Sequence, residues 1–111
     1  MDRTTSLPGG IVTALFTDIV NSTELKLRMS GDTTARRDEE YRSTVRVPHD
    51  QRLLDLVARH GGATANSTGD GYLFVFTDAE KAVLCGLAIR DSLHADPIET
   101  PLGRLQLRVG S

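Results

Sequence analysis

The 111-residue chain lacks several features that would place it in a specialised class of protein. Its one cysteine, Cys85, cannot form an internal disulfide, which excludes the disulfide-stapled secreted domains and fits a reducing cytoplasm. The formal net charge is -2, so the chain has no basic excess and we expect no nucleic-acid partner. No apolar run approaches the ~20 residues of a membrane-spanning helix, and residues 1–10 are too polar for a signal peptide.

What remains is the composition of an ordinary globular domain. Hydrophobic residues make up 39% of the chain and charged residues 25%. The length allows one domain at most. Residues 1–10, with Thr, Ser, Pro and a Gly pair, are expected to form a flexible lead or linker, and residues 11–111 the domain.

An aspartate stands at the end of the first predicted strand. Residues 11–17 are apolar or β-forming, Asp18 follows them, and a polar triplet at 21–23 then opens a helical pattern. A carboxylate can hold a divalent cation, and the free N–H groups at a helix start can hold phosphate oxygens. Alternatively, Asp18 only caps the helix, since aspartate is among the preferred caps. Taken alone, this stretch favours the simpler interpretation.

A second aspartate lies in a predicted hairpin turn. Residues 67–76 are interpreted as a strand end, a tight turn around Gly69, Asp70 and Gly71, and an apolar strand. Asp-Gly between apolar runs is typical of a type I′ turn, so Asp70 could serve the turn only. Two strands that each present an aspartate at one end could also place the carboxylates side by side. Such a pair can hold two divalent cations roughly 3.5–4 Å apart, which act on an in-line displacement at phosphorus.

Helical patterns follow the first aspartate. Asn21 and Glu24 have the spacing of an N-cap and its reciprocal partner in a short helix. A longer helical stretch is predicted over residues 34–60 and ends at two glycines. Within it, Pro48 should kink or restart the helix and push Val47 out of the α region.

The second half of the chain alternates strands with one more helix. Strands are predicted at 63–67 and 72–76, a capping box at 77–80 opens a helix, 96–103 is a loop, and 105–109 is a half-buried strand. The order β-α-α-β-β-α-β predicts an α+β fold whose mostly antiparallel sheet carries helices on one face. The predicted apolar face of the last helix, with Cys85 as inert packing among its residues, comprises Ala79, Ala82, Val83, Gly86, Leu87 and Leu93.

The two aspartate motifs together resemble a known family. FTDIVNST at 16–23, HGG at 60–62 and TGDG at 68–71 before an apolar strand are similar to the catalytic domain of class III nucleotidyl cyclases, in order and spacing from 11 to 110. The resemblance implies a ferredoxin-like α+β sandwich. It also implies two-metal conversion of ATP, less readily GTP, to a 3′,5′-cyclic nucleotide and pyrophosphate, with two Mg²⁺ or Mn²⁺ ions per site. A second cyclase domain is implied as a homo- or heterodimeric partner, because the family's active sites form between two domains.

The resemblance assigns roles to individual positions. Asp18 and Asp70 match the two metal-binding, catalytic aspartates, and Ile19 matches the position whose backbone carbonyl joins the metal shell. The implied nucleotide-binding positions are Asn21, Ser22, Thr23, Asn66, Thr68 and Gly69.

Two departures from the family pattern qualify the expected activity. Asn66 stands where the family has a purine-reading lysine or glutamate, so the purine is not determined. The family's chain continues past the strand that matches 105–110, so we expect a partial catalytic domain, with the C-terminal part missing, that is inactive alone. An alternative is a catalytically inactive cyclase-homology module acting in nucleotide binding, dimerisation or regulation. A further alternative is a generic α+β domain with two turn aspartates.

Overall fold

A four-stranded antiparallel sheet, in the order β2-β3-β1-β6, forms the centre of the computed structural model, which describes residues 12–110. A π-helical turn (Arg42–Arg46) joins α2 to α3, and β4 and β5 form a separate small hairpin. The predicted lead at 1–10 lies outside the described residues. The elements are β1 (Thr13–Ile19), α1 (Ser22–Leu27), α2 (Thr34–Tyr41), α3 (Val47–Arg59), β2 (Ala63–Ser67), β3 (Gly71–Phe76), α4 (Ala79–Ala95), β4 (Glu99–Thr100), β5 (Gly103–Arg104) and β6 (Leu107–Gly110).

The sheet confirms the predicted α+β arrangement. β1 lies in the middle and pairs antiparallel with both β3 and β6, while β2 pairs with β3 at the edge. Two α-helices, α3 and α4, cross between the strands and pack against each other and the sheet. This element order and strand order are those of a ferredoxin-like sandwich. Among residues 12–110, no helix combines the length and apolar character needed to cross a lipid bilayer.

Strand alternation places the core on one face of the sheet. Leu15 and Ile19 of β1 are buried, whereas Phe16, between them, is 54% exposed. In register with Leu15 lies Phe74 of β3, which is fully buried. Helical residues that complete this core include Val45, Leu53, Val57, Ala82, Cys85 and Ile89. Burial raises the pKa of the Cys85 thiol, so this residue is a packing residue, as predicted.

The first strand lies two residues later than predicted. It spans Thr13–Ile19 instead of 11–17, so Asp18 lies within β1 and does not follow it. The extension arises because the two neighbouring strands both continue to pair here: Asp18 is in register with Gly71 on one side and Arg108 on the other.

The N-caps of α1 and α4 both differ in detail from the predicted ones. Asn21 is the N-cap of α1, but its side chain makes no capping bond, and Glu24 pairs with Arg28 instead. Asn21 also adopts a left-handed conformation (φ 59°), which turns the chain sharply from strand to helix. At α4 the cap is Asp78, one residue later than the predicted box, and its carboxylate accepts hydrogen bonds from the first turn.

The helix around Pro48 is continuous, and the predicted displacement of Val47 is wrong. Val47 keeps α-helical angles (φ -64°, ψ -48°), and its N–H donates to the carbonyl of Arg42, five residues earlier. A proline in a regular helix clashes with the carbonyl four residues before it. The wider π turn before Pro48 relieves that clash without bending Val47 out of the helix.

The buried face of α4 is rotated from the predicted one. Val83 and Leu87 are 58% and 46% exposed, and Ala79 is exposed as well. Ala82, Gly86 and Leu93 are buried as predicted, and Cys85 and Ile89 complete the core face. The predicted loop at 96–103 also contains the hairpin of β4 and β5 and the buried Ile98.

Candidate functional site

Asp18 and Asp70 line the same open depression at one end of the sheet. Its volume is about 400 Å³. The backbone N–H of Ile19 donates to the carbonyl of Asp70 at 2.8 Å, which ties the turn before β3 directly to β1. The residues that line the depression are Asp18, Ile19, Asn21, Ser22, Thr23, Glu24, Asp70 and Arg108.

Strand alternation exposes the first carboxylate. Thr17 and Ile19 are buried, so Asp18 between them faces away from the core, and its side chain is 48% exposed. The left-handed Asn21 then turns the chain so that α1 begins at the edge of the depression. The sequence therefore places a carboxylate and the N-terminus of a helix together at this depression.

The turn that carries Asp70 is organised by Thr68. Its hydroxyl oxygen accepts hydrogen bonds from the N–H groups of Asp70 (3.3 Å) and Gly71 (3.1 Å), and its own N–H donates to the carbonyl of Gly71. Asp70 does not have a positive φ, and neither do the two flanking glycines. The predicted type I′ turn is therefore wrong, because the threonine side chain imposes a different turn.

Gly71 is required by close packing and not by its φ angle. A Cβ atom at this position would lie 1.9 Å from the carbonyl oxygen of Thr17. The absence of a side chain lets the Asp70 turn lie directly on β1, beside Asp18.

Three of the predicted nucleotide-binding residues are not among those that line the depression. Asn66 is exposed on the edge strand β2, and its side-chain oxygen accepts a hydrogen bond from the N–H of Ser67 at 2.9 Å. The carbonyls of Thr68 and Gly69 accept hydrogen bonds from Arg46. The structure therefore brings together Asp18, Ile19, Asn21, Ser22, Thr23 and Asp70, and leaves Asn66, Thr68 and Gly69 outside this depression.

Arg108 belongs to the site and was missed by sequence reasoning. Its Nη1 atom donates to the Oδ2 atom of Asp18 at 2.9 Å. Both side chains are about half exposed or more, so the pair contributes only about 0.2–1 kcal/mol to stability. The alternation of β6 was the available signal: Leu107 and Val109 point to one face, which sends Arg108 to the face that carries Asp18.

The donor atoms at the site suit a hard divalent cation. Among residues 12–110, no group of three or more His, Cys, Asp or Glu side chains is placed to hold a metal. Two carboxylates alone leave most of the coordination to main-chain carbonyls, water and bound phosphate. Mg²⁺ is held in this manner in many proteins, through one or two carboxylates and the substrate's phosphates.

Comparisons with known proteins give one curated relative and a set of solved structures. The chain is 33% identical over 99 residues to the serine/threonine-protein kinase pkn2 of Myxococcus xanthus, a match that covers 88% of this chain and 11% of the kinase. It superposes on the guanylate cyclase domain of RhGC from Catenaria anguillulae, solved with GTP, with a TM-score of 0.69 at 22% identity. This superposition covers 89% of our chain and 53% of the other. No family model matches the sequence.

A second cyclase structure gives the same result. A bacterial light-regulated adenylyl cyclase superposes with a TM-score of 0.63 at 16% identity, over 92% of this chain and 31% of the other. At these identities the superpositions establish the fold. The chain spans about half of the guanylate cyclase chain and about a tenth of the kinase.

Proposed function

We infer that this chain supplies the metal-binding portion of a nucleotidyl cyclase active site. Its fold is that of a guanylyl and adenylyl cyclase catalytic domain, of which it spans a part. The observation that carries the inference is the meeting in one open depression of Asp18, from β1, and Asp70, from the turn that precedes the adjacent strand β3. The substrate would be a purine nucleoside triphosphate, ATP or GTP, and the products a 3′,5′-cyclic nucleotide and pyrophosphate.

The residues of the depression would have different roles in binding metal and nucleotide. Asp18 and Asp70, with the backbone carbonyl of Ile19, would hold two Mg²⁺ or Mn²⁺ ions. When bound there, the cations neutralise the phosphates and lower the proton affinity of the ribose 3′-hydroxyl that attacks the α-phosphate. Asn21, Ser22 and Thr23 line the same depression, at the start of α1, where the triphosphate would lie.

Arg108 contributes a positive charge to the site. Before cation binding, its guanidinium balances the carboxylate of Asp18. A cation at Asp18 would displace this partner, and the freed guanidinium could then contact a phosphate oxygen, for which its geometry is well suited. Residues 11–111 would form one partial catalytic domain. A second cyclase domain, in a homo- or heterodimer, would supply the remaining side of the site.

A second candidate function is a cyclase-homology module that binds nucleotide without turnover. It is favoured by Asn66, which has no charge and whose side-chain oxygen is engaged with the N–H of Ser67. The two candidates differ in one measurement. Cyclic nucleotide formed when the chain is mixed with a complementary cyclase domain, Mn²⁺ and ATP or GTP supports the enzyme, and nucleotide binding without product supports the module.

The metal assignment is tested by titrating Mn²⁺ into the wild type and into Asp18→Asn and Asp70→Asn. Each substitution keeps the side-chain volume and removes a carboxylate, so we expect affinity to fall by at least about 10–100-fold, the range seen even for outer-shell partners. Asp38→Asn, on the exposed surface of α2, makes the same change elsewhere and should have no effect. Unchanged affinity in both site variants would show that the two aspartates do not hold the cation.

Arg108→Ala should change Mn²⁺ binding in the opposite direction. The substitution removes the cation that competes for the Asp18 carboxylate, so affinity without nucleotide should rise by up to about fivefold, the equivalent of an exposed ion pair. Calorimetric titration measures the change. Arg104→Ala, which alters net charge equally on the exposed β5, separates the local effect from a general one. Equal gains in both variants would show that Arg108 does not compete at Asp18.

A further inference from the structure

We propose that Arg46 is a positioning residue for the cation site, which it serves by holding the turn that presents Asp70. The proposal rests on the proposed function of Asp18 and Asp70 as cation ligands. Arg46 lies at the end of the π-helical turn and is not among the residues that line the depression.

Arg46 binds the two peptide carbonyls that immediately precede Asp70. Its Nη1 atom donates to the carbonyl of Gly69, and its Nη2 atom donates to the carbonyl of Thr68 at 3.1 Å. The planar guanidinium thus spans two successive peptide groups and fixes their orientation. Asp18, by contrast, is held within a strand that pairs on both sides, so only the Asp70 arm of the site depends on a side chain from a helix.

The guanidinium is itself held from the other side. Its Nε atom donates to the Oδ1 atom of Asp50 at 2.7 Å, and the Nδ1 atom of the fully buried His49 lies 2.8 Å from the same oxygen. The guanidinium carbon also lies 5.4 Å from the centroid of the Tyr72 ring. The side chain of Arg46 is only 14% exposed. With its position fixed by a carboxylate and a ring, Arg46 can transmit the position of α3 to the turn.

The π turn explains why this residue faces the turn. A π-helical turn contains one more residue than the α-helical turn it replaces, and one residue rotates a helix by about 100°. The insertion before Pro48 therefore sets which side of the helix Arg46 occupies. The feature that relieves the proline clash also directs the guanidinium to Thr68 and Gly69.

The competing explanation is that Arg46 only stabilises the fold. In that case Arg46→Met, which keeps the aliphatic stem, would lower the melting temperature but leave the Mn²⁺ affinity of the folded protein unchanged. If Arg46 positions Asp70, the Mn²⁺ affinity of Arg46→Met should fall by about 10–100-fold, the range for residues that orient metal ligands. Arg46→Lys, which keeps the positive charge but not the planar guanidinium with its paired N–H donors, should recover part of the lost affinity. Arg42→Met, one turn earlier in an exposed ion pair, is the matched control and should bind as the wild type does.

A second measurement follows the turn itself by amide hydrogen exchange in the intact chain. We expect faster exchange at residues 68–71 in Arg46→Met, while α4 keeps its protection. If circular dichroism shows that Arg46→Met is unfolded, both measurements are made on Arg46→Lys instead. Wild-type affinity in the folded Arg46 variants, unaltered exchange at 68–71, or an equal loss in Arg42→Met would each overturn the proposal. A wild type that binds no Mn²⁺ refutes the proposed function instead, and exchange at 68–71 then decides whether Arg46 holds the turn.

Discussion

Gly71→Ala should destabilise the folded protein by about 3 kcal/mol or more, at the upper end of overpacking substitutions. The new Cβ would lie 1.9 Å from the carbonyl oxygen of Thr17 and 2.9 Å from the Cα atom of Asp18. Both atoms belong to the backbone of the central strand, which pairs on both edges and cannot move aside. Urea unfolding followed by circular dichroism measures the loss.

Gly69→Ala is the matched control for this substitution. It lies two residues earlier in the same turn, and a Cβ there would meet nothing within 4 Å. Its φ is not positive, so alanine should be neutral or stabilising by about 0.4–1 kcal/mol through the unfolded chain. Equal losses in the two variants would show that flexibility of the turn, and not contact with β1, determines the need for glycine at 71.

Phe74→Ala should cost about 3–5 kcal/mol, the range for truncating a buried phenylalanine. Phe74 is fully buried in register with Leu15, and its ring stacks on Tyr72 with centroids 5.0 Å apart. The loss comes from apolar surface returned to water and from the cavity that remains. For a chain of this size, such a change would remove a large part of the total free energy of unfolding.

Phe16→Ala makes the same substitution on the other face of the sheet. Phe16 lies on the adjacent strand and is 54% exposed, so its truncation should cost less than about 1 kcal/mol. Chemical denaturation of both variants under one set of conditions compares the two faces. A Phe16→Ala loss as large as that of Phe74→Ala would mean that the outer face is covered in solution.

The sequence predicted the fold because its strongest signals are local. The alternation in β1 and β6 and the apolar run of β3 each report a half-buried strand, and Gly61 and Gly62 end α3 where predicted. The sequence offered the meeting of Asp18 and Asp70 as one of two interpretations, and the pairing of β1 with β3, which are separated in the chain by β2, brings the two residues together.

The remaining features depend on contacts between distant parts of the chain. Arg108 joins the site only because β6 pairs with β1, a register that no short window of sequence contains. The type I′ prediction at Asp70 failed because Thr68 and the side chain of Arg46, from a separate helix, determine that turn. Val47 keeps α-helical angles before Pro48 because a π turn precedes it, and a proline inside a helical pattern does not by itself indicate a π turn.

The central position of β1 also constrains how the protein acquires its structure. Its partners are β3 and β6, and the pair Phe16–Gly110 joins residues from nearly opposite ends of the chain. Contacts so distant in sequence slow folding, because a long loop must close before they form. Until β6 pairs, the backbone edge of β1 that β6 covers is open to strands of other chains, which favours aggregation. The Asp18–Arg108 pair forms only when this long loop closes, so its formation would report directly on the pairing of β1 with β6.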